Sequence, residues 1–314
     1  MKPSSLPCPV EEVSRGQLTR RRVLVIGAYG MLGRDLVRSL ELSEFTPMGW
    51  DLDHIDITRL ASVRTKLQEA SADVVINCAA YTAVDRAESE ADLAFAVNRD
   101  GAAYLAEVCA AQQTPLIHIS TDYVFDGEAD RPYREDDPAN PIGVYALSKW
   151  QGEQAVRERL AEHLIVRTAW LYGVYGDNFV KTILRLARER EELRVVADQR
   201  GCPTWAGDLA GALVSLIRRV VTDRVTVPWG TYHYCGAGET TWHGFATAII
   251  ALGRRSENLQ VHRVAPITTA DYPVPARRPP WSVLDCSKIA ASFGITPRPW
   301  QIGLEDMMRQ LEEP

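Results

Sequence analysis

No run of about 18 consecutive apolar residues occurs in the 314-residue chain, so the sequence offers no membrane-spanning helix. The opening stretch MKPSSLPCPVEEVSRGQLTRRR lacks the apolar centre of a secretory signal. Its Pro, Ser and charged residues predict an extension, residues 1–20, ahead of the folded chain, and the missing signal points to the cytoplasm. The six cysteines, Cys8, Cys78, Cys109, Cys202, Cys235 and Cys286, contain no C-x-x-C spacing, which argues against a disulfide framework or a thiolate metal cage. The six histidines show no ligand spacing either, so no catalytic metal is expected. Positive charge is not in surplus. With 35 Lys and Arg against 41 Asp and Glu, the net charge of -6 is the wrong field for a nucleic-acid-binding surface, although a local basic pocket for a small anion remains compatible with it.

What is present is an ordinary globular composition, 46 % hydrophobic and 24 % charged, long enough for one large domain or two moderate ones. The apolar run Val23 to Ile26 leads into a Gly-rich turn, Gly27 to Gly33, and then an amphipathic stretch, Asp35 to Leu40. Short apolar runs recur at Asp73 to Cys78, Leu116 to Ile119 and Leu164 to Val166, separated by helical stretches at Asp92 to Gln112 and Ser148 to Arg159. Buried strands alternating with helices predict an α/β fold, a doubly wound parallel sheet of the Rossmann type, over residues 21–170. Beyond about Trp170 the regularity declines. A helix at Asn178 to Glu192, a Pro- and Gly-containing segment Asp198 to Gly207, a helix from Asp208, the stretch DYPVPARRPP, and a helical finish at Cys286 to Phe293 and Leu304 to Leu311 predict a smaller C-terminal substrate-binding lobe, residues 171–314. That lobe is expected to return some elements to the main domain, with DYPVPARRPP as an ordered loop closing over a site.

Gly27, Gly30 and Gly33 form G-x-x-G-x-x-G between a strand and a helix. Glycines permit a tight turn and close backbone approach, and the unpaired N–H groups of a helix start attract a pyrophosphate. The second strand, Phe45 to Trp50, ends at Asp51, where a carboxylate receives a ribose hydroxyl pair in NAD-type sites; Asp53 and Asp56 compete for that part. Arg34 and Arg59 could instead serve a 2′-phosphate, so the cofactor reads as NADPH or NADH.

Tyr145 and Lys149 stand four residues apart, on one face of a helix. A free phenol titrates near about 10, so proton exchange near neutral pH calls for a cation that favours the phenolate, and Lys149 is the cation in reach. Thr121 closes a strand whose C-terminal end, in an open α/β sheet, faces the ligand crevice. Each feature has a bland explanation, as surface helix or strand exit. Cradle, hydroxyl and Y-x-x-x-K in this order weigh against it.

With these motifs the chain resembles the extended short-chain dehydrogenase/reductase superfamily, and within it the sugar-nucleotide 4-ketoreductases of the dTDP-4-dehydrorhamnose reductase (RmlD-like) type. GAYGMLGRDL and VYALSKWQGE mark the superfamily; TAVDRAE, NFVKTILRLA and YPVPARRP are more particular to that type. The resemblance implies NAD(P)H-dependent reduction of the C4 ketone of dTDP-4-dehydro-6-deoxy-L-mannose to dTDP-L-rhamnose. It implies Thr121, Tyr145 and Lys149 as catalytic residues, and a cofactor site of Gly27, Tyr29, Gly30, Met31, Leu32, Gly33, Asp51, Asp56, Ile57, Ala79, Ala80 and Thr82, joined by Tyr145 and Lys149. Val84, Asp122, Tyr123 and Trp170 would line the sugar. Asn178, Phe179, Thr204 and Arg277 would take the nucleotide side, with Arg277 or Arg278 as the fork for the substrate pyrophosphate. The implied partner is a dTDP-sugar, without nucleic acid or membrane, and a homodimer is compatible with the resemblance. Two rivals remain open at this point: a related dTDP-hexulose 4-ketoreductase or epimerase/reductase for another deoxysugar, and a non-catalytic NAD(P)-binding regulatory subunit resembling that of methionine adenosyltransferase.

Overall fold

A computed structural model describes residues 20–312, so nearly all of the expected extension 1–20 lies outside the described residues. Five short strands, β1 (Arg22–Ile26), β2 (Thr46–Trp50), β3 (Val74–Asn77), β4 (Leu116–Thr121) and β5 (His163–Thr168), are joined by a sixth, Gly230–His233, in one sheet. All its pairings are parallel, in the order β2-β1-β3-β4-β5-Gly230–His233. The pleat sends Val23 and Val25 to one face and Leu24 and Ile26 to the other, and both faces are covered, which is why these strands read as unbroken apolar runs. On one face lie helix α1 (Met31–Glu41) and the helix Ala206–Thr222, sharing a cluster that includes Leu36, Leu40, Leu209 and Leu213. On the other, Val63, Leu67 and Leu105 pack from the helices Leu60–Ala70 and Ala102–Ala111.

From β1 the chain moves outward to β2, then returns to place β3 on the opposite side of β1. Such a reversal opens a crevice at the C-terminal ends of β1 and β3, the place where open α/β sheets bind ligands. After β2 the segment Asp51–Arg59 makes turns and no further strand of the main sheet.

The expected helix Asp92 to Gln112 is three consecutive pieces: Ala91–Phe95, a π-helical Ala96–Gly101, and Ala102–Ala111. Within the wide turn the buried Asn98 side chain accepts from the Tyr81 N–H at 2.9 Å and donates to the Tyr81 carbonyl at 3.1 Å and the Ser148 hydroxyl at 3.0 Å. The helix carrying Tyr145 begins at Val144, ahead of the expected Ser148, and runs to Arg159. It presses so close that a Cβ on Gly152 would meet the Asn98 carbonyl oxygen at 2.1 Å.

Beyond residue 170 the helices Phe179–Glu189, Trp242–Gly253 and Trp300–Glu312 enclose a separate core of Val180, Ile183, Phe245, Ile249, Leu304 and Met307. The helix expected at Asn178 to Glu192 stops at Glu189, and Glu192–Val196 is a strand paired in parallel with Arg263–Ile267. Charges in RERE extend a helical pattern on paper, while the alternating burial of ELRVV belongs to a half-covered strand.

Candidate active site

The crevice is a cleft of about 450 Å³ lined by the Gly27–Gly33 turn, the exit of β4 and the helix Val144–Arg159, with Trp170, Asn178 and Trp242 on the far wall. The turn is built without side chains for steric reasons. Gly27 has φ +80°, and a Cβ there would lie 2.6 Å from the Ala79 nitrogen, so the ends of β1 and β3 touch through backbone. On Gly33 a Cβ would sit 2.1 Å from the Gly27 carbonyl oxygen. Gly30 caps α1 without any side-chain hydrogen bond and no acid occupies the first turn, leaving a positive helix end aimed at the cleft.

Thr121, Tyr145 and Lys149 meet in this cleft. The buried Thr121 hydroxyl donates to the Asp122 carboxylate at 3.0 Å and accepts from the Tyr123 N–H at 3.2 Å. Burial pushes the Tyr145 phenol up to about 12, with the Thr121 hydroxyl opposing and the Asp122 charge adding to the rise. Lys149 donates from Nζ to the Ile119 carbonyl at 2.7 Å. Burial lowers its ammonium to about 8, against the pull of the Glu153 carboxylate one turn on. Glu153 is itself buried between Arg167, at 2.9 and 2.8 Å, and Arg157, at 2.7 Å. One of the three ammonium donors of Lys149 is thus engaged by a backbone carbonyl, and the residue lines the cleft together with Tyr145.

Asp122 is nearly inaccessible, and burial raises its carboxyl to about 7, opposed by the adjacent Ser282 and Thr121 hydroxyls. Asp122 Oδ2, Ser120 Oγ and Thr168 Oγ1 have no hydrogen-bond partner among the described residues, and all three residues line the cleft. Buried polar atoms are ordinarily paired, so this floor is suited to a polar guest.

Met31, Leu32, Ala80, Thr82, Val84, Tyr123, Trp170 and Asn178 also line the cleft. Asn178 caps the helix Phe179–Glu189 and donates to the Gly173 carbonyl at 2.7 Å. Other expected residues stand outside. Tyr29 is exposed at the rim, with its N–H on Asp51 at 3.0 Å and its hydroxyl on Asp53 at 3.0 Å. Asp51 holds both that N–H and its neighbour Leu52, so it braces the turn. Asp56 closes its own turn through the Thr58 N–H and hydroxyl, Ile57 is core against Gly101, and Ala79 abuts Gly27 through its backbone. Phe179 packs against Trp242 and Phe245. Thr204 is fully buried and ties Cys202 to Gly236. Arg277 is exposed on the Pro-rich loop, whereas Arg278 forks onto Asp85 at 3.0 and 2.8 Å.

Trp170 does not stand alone as a wall. Its indole stacks on Trp242 with centroids 3.5 Å apart and planes 5° from parallel, and it fills the space a Cβ on Gly201 would need. Trp170 adopts φ +46°, a conformation costing about 1–3 kcal/mol for a bulky residue and retained where packing dictates it. Sequence reasoning missed Trp242, 72 positions away by its number, because the TTWH run carries no motif and only tertiary packing brings it to Trp170.

The Asp85 fork, with the Ala276 N–H also on Asp85 at 3.2 Å, is the anchor of the Pro-rich loop. Asp85→Ala is expected to lower global stability by at most about 1 kcal/mol, because the pair is partly solvated, while cleavage within 271–280 under limited proteolysis accelerates. An unchanged cleavage pattern would mean that the prolines alone hold the loop.

Residues 21–313 match the family model described as "RmlD substrate binding domain". A dTDP-4-dehydrorhamnose reductase of Aggregatibacter actinomycetemcomitans is 41 % identical over 293 residues, covering 93 % of this chain and 99 % of that protein. The crystal structure of dTDP-4-dehydrorhamnose reductase from Bacillus anthracis in complex with NADP is 38 % identical, with TM-score 0.85 over 93 % of this chain and 99 % of that one. A protein of Streptomyces antibioticus named as a probable dTDP-4,6-dihydroxy-2-methyloxan-3-one 4-ketoreductase is 40 % identical, covering 91 % of this chain and 94 % of that protein.

Proposed function

The chain belongs to the RmlD substrate-binding family of dTDP-4-dehydrorhamnose reductases, and from that membership we propose that it reduces the C4 ketone of dTDP-4-dehydro-6-deoxy-L-mannose to dTDP-L-rhamnose with NADPH or NADH. One observation carries the reading: a hydroxyl, a phenol and an ammonium converge in the same cleft as the glycine turn. A silent binding subunit has no use for that convergence.

The residues present fit a dinucleotide. The uncapped start of α1 and the side-chain-free turn suit a pyrophosphate, and the orphaned polar atoms of the floor suit the groups beyond it. In this reading residues 21–170 hold the cofactor and the 171–314 lobe takes the nucleotide sugar, with Lys149 placing a ribose. The bound nicotinamide supplies the hydride. Reduction leaves negative charge on the ketone oxygen, and Tyr145, a neutral phenol at pH 7, delivers the proton there. Thr121 assists with a hydrogen bond to the same oxygen. Its single proton now goes to Asp122, but a protonated Asp122 can donate to Thr121 and free that hydrogen. Val84, Tyr123, Trp170 and Asn178 shape the sugar and nucleotide sites, while exposed Arg277 remains available to a phosphate where Arg278 is engaged.

Supplying dTDP-4-dehydro-6-deoxy-L-mannose, generated in situ, should produce substrate-dependent oxidation of NADPH or NADH; no oxidation of either would contradict the assignment. A second reading, a 4-ketoreductase for another dTDP-hexulose, is favoured by the 40 % identity to the Streptomyces protein, and competing the two ketones decides it.

The pH dependence has a definite sign. Asp122 holds its proton below about 7 and Lys149 its charge below about 8, so both competent forms are lost as pH rises. The kcat/KM of the free enzyme should fall on the alkaline side through two steps. Asp122→Asn, whose amide donates at every pH, should remove the first step and keep the second; an unchanged profile would remove Asp122 from this role.

A further inference from the structure

Behind the far wall lies a second cavity of about 570 Å³, lined by Cys202, Cys235 and Cys286, residues far apart in the chain. The Cys235 and Cys286 sulfurs are 3.6 Å apart, and Cys202 belongs to the same buried cluster. Cys235 lies two residues beyond the end of the Gly230–His233 strand, and Cys286 precedes the helix Ser287–Phe293. Cys235 and Cys202 are buried, while Cys286 is half-buried, so a reagent entering the cavity meets Cys286 first. Nothing in the reduction chemistry uses these thiols.

We propose that Cys235 and Cys286 form a reversible thiol-modification site that closes to a disulfide when a low-molecular-weight disulfide enters this cavity. The Cys286 thiolate attacks one sulfur of the small disulfide, breaking its S–S bond and releasing one thiol. Cys235 then attacks the Cys286 sulfur of the mixed disulfide, forming the protein S–S bond and releasing the second. Two protein thiols are oxidised and one small disulfide is reduced to two thiols, so electrons and protons balance. Sulfurs already in contact need only side-chain rotation and a small backbone shift to reach a bond of about 2 Å.

The site is mechanically linked to the cleft. Segment 282–286 pairs Asp285 with Tyr133 at 2.8 Å and Ser282 with Arg200 at 2.8 Å, and the Ser282 hydroxyl stands beside the Asp122 carboxyl. Drawing Cys286 toward Cys235 shifts the segment that carries Ser282 beside Asp122. Oxidation therefore slows turnover, and it leaves the glycine turn, on the other side of the cleft, untouched.

The test treats the full chain with glutathione disulfide, then counts thiols after unfolding and maps linked peptides by mass spectrometry. The expected result is a fall from six thiols to four, a Cys235–Cys286 peptide link, a severalfold drop in kcat and recovery with dithiothreitol. Cys286→Ser should keep its five thiols and its activity, and Cys202→Ser should link as the unaltered chain does. No link, a Cys202–Cys235 link, or a Cys235–Cys286 link with unchanged kcat would each overturn the proposal.

Discussion

Tyr145→Phe is expected to lower kcat by about 10²–10⁴-fold while NADPH affinity stays unchanged, because the substitution removes the proton donor and keeps the ring. The ring has its own reason to stay in place: it packs edge-on against Tyr123, with centroids 6.0 Å apart and planes at 82°. The loss corresponds to about 3–5 kcal/mol of transition-state stabilisation. It should appear in kcat and in kcat/KM together, the pattern of an interaction made only in the transition state. Steady-state kinetics paired with a fluorescence titration of NADPH measures both quantities. Near-normal turnover would assign proton delivery to another group.

Gly33→Ala should act on the other half of the site. The added Cβ would lie 2.1 Å from the Gly27 carbonyl oxygen and 2.7 Å from the Ala28 Cα, and both are backbone atoms at the tip of β1. Neither can yield without shifting the turn, so a stability loss of about 1–3 kcal/mol is expected, with NADPH binding weakened at least tenfold. Gly211, in the helix Ala206–Thr222, has nothing within 4 Å of its Cβ position. Gly211→Ala should therefore stabilise by about 0.5–1 kcal/mol and leave binding alone. Equal behaviour of the two variants in a denaturant titration would show that crowding at the turn is not what demands glycine there.

The main sheet was legible because each of β1, β3, β4 and β5 is covered on both faces and announces itself as an apolar run. The sixth strand, GTYH, is nearly as buried and has neither run nor alternation, so only its pairing with β5 reveals it. The cleft divides the same way. Gly27, Gly33, Thr121, Tyr145 and Lys149 carry chemistry tied to one element each, and local spacing exposes them. Asp51, Asp56 and Ile57 have the right residue types in the right region, and their side chains also hold turns or enter the core, which spacing does not report. Trp242, the Asp85–Arg278 fork and the Cys235–Cys286 contact join distant parts of the chain, and a single sequence holds no local trace of them.

The central claim is that a hydride reaches C4 of a dTDP-hexulose in this cleft. The most direct measurement supplies NADPH carrying deuterium on the transferring face of nicotinamide C4, with dTDP-4-dehydro-6-deoxy-L-mannose, and locates the label in the product by NMR and mass spectrometry. The account predicts one deuterium at sugar C4 of dTDP-L-rhamnose, with labelled product about 10²–10⁴-fold lower when Tyr145→Phe is assayed over the same interval. Cofactor consumed without label at C4, or label at another carbon, would contradict it.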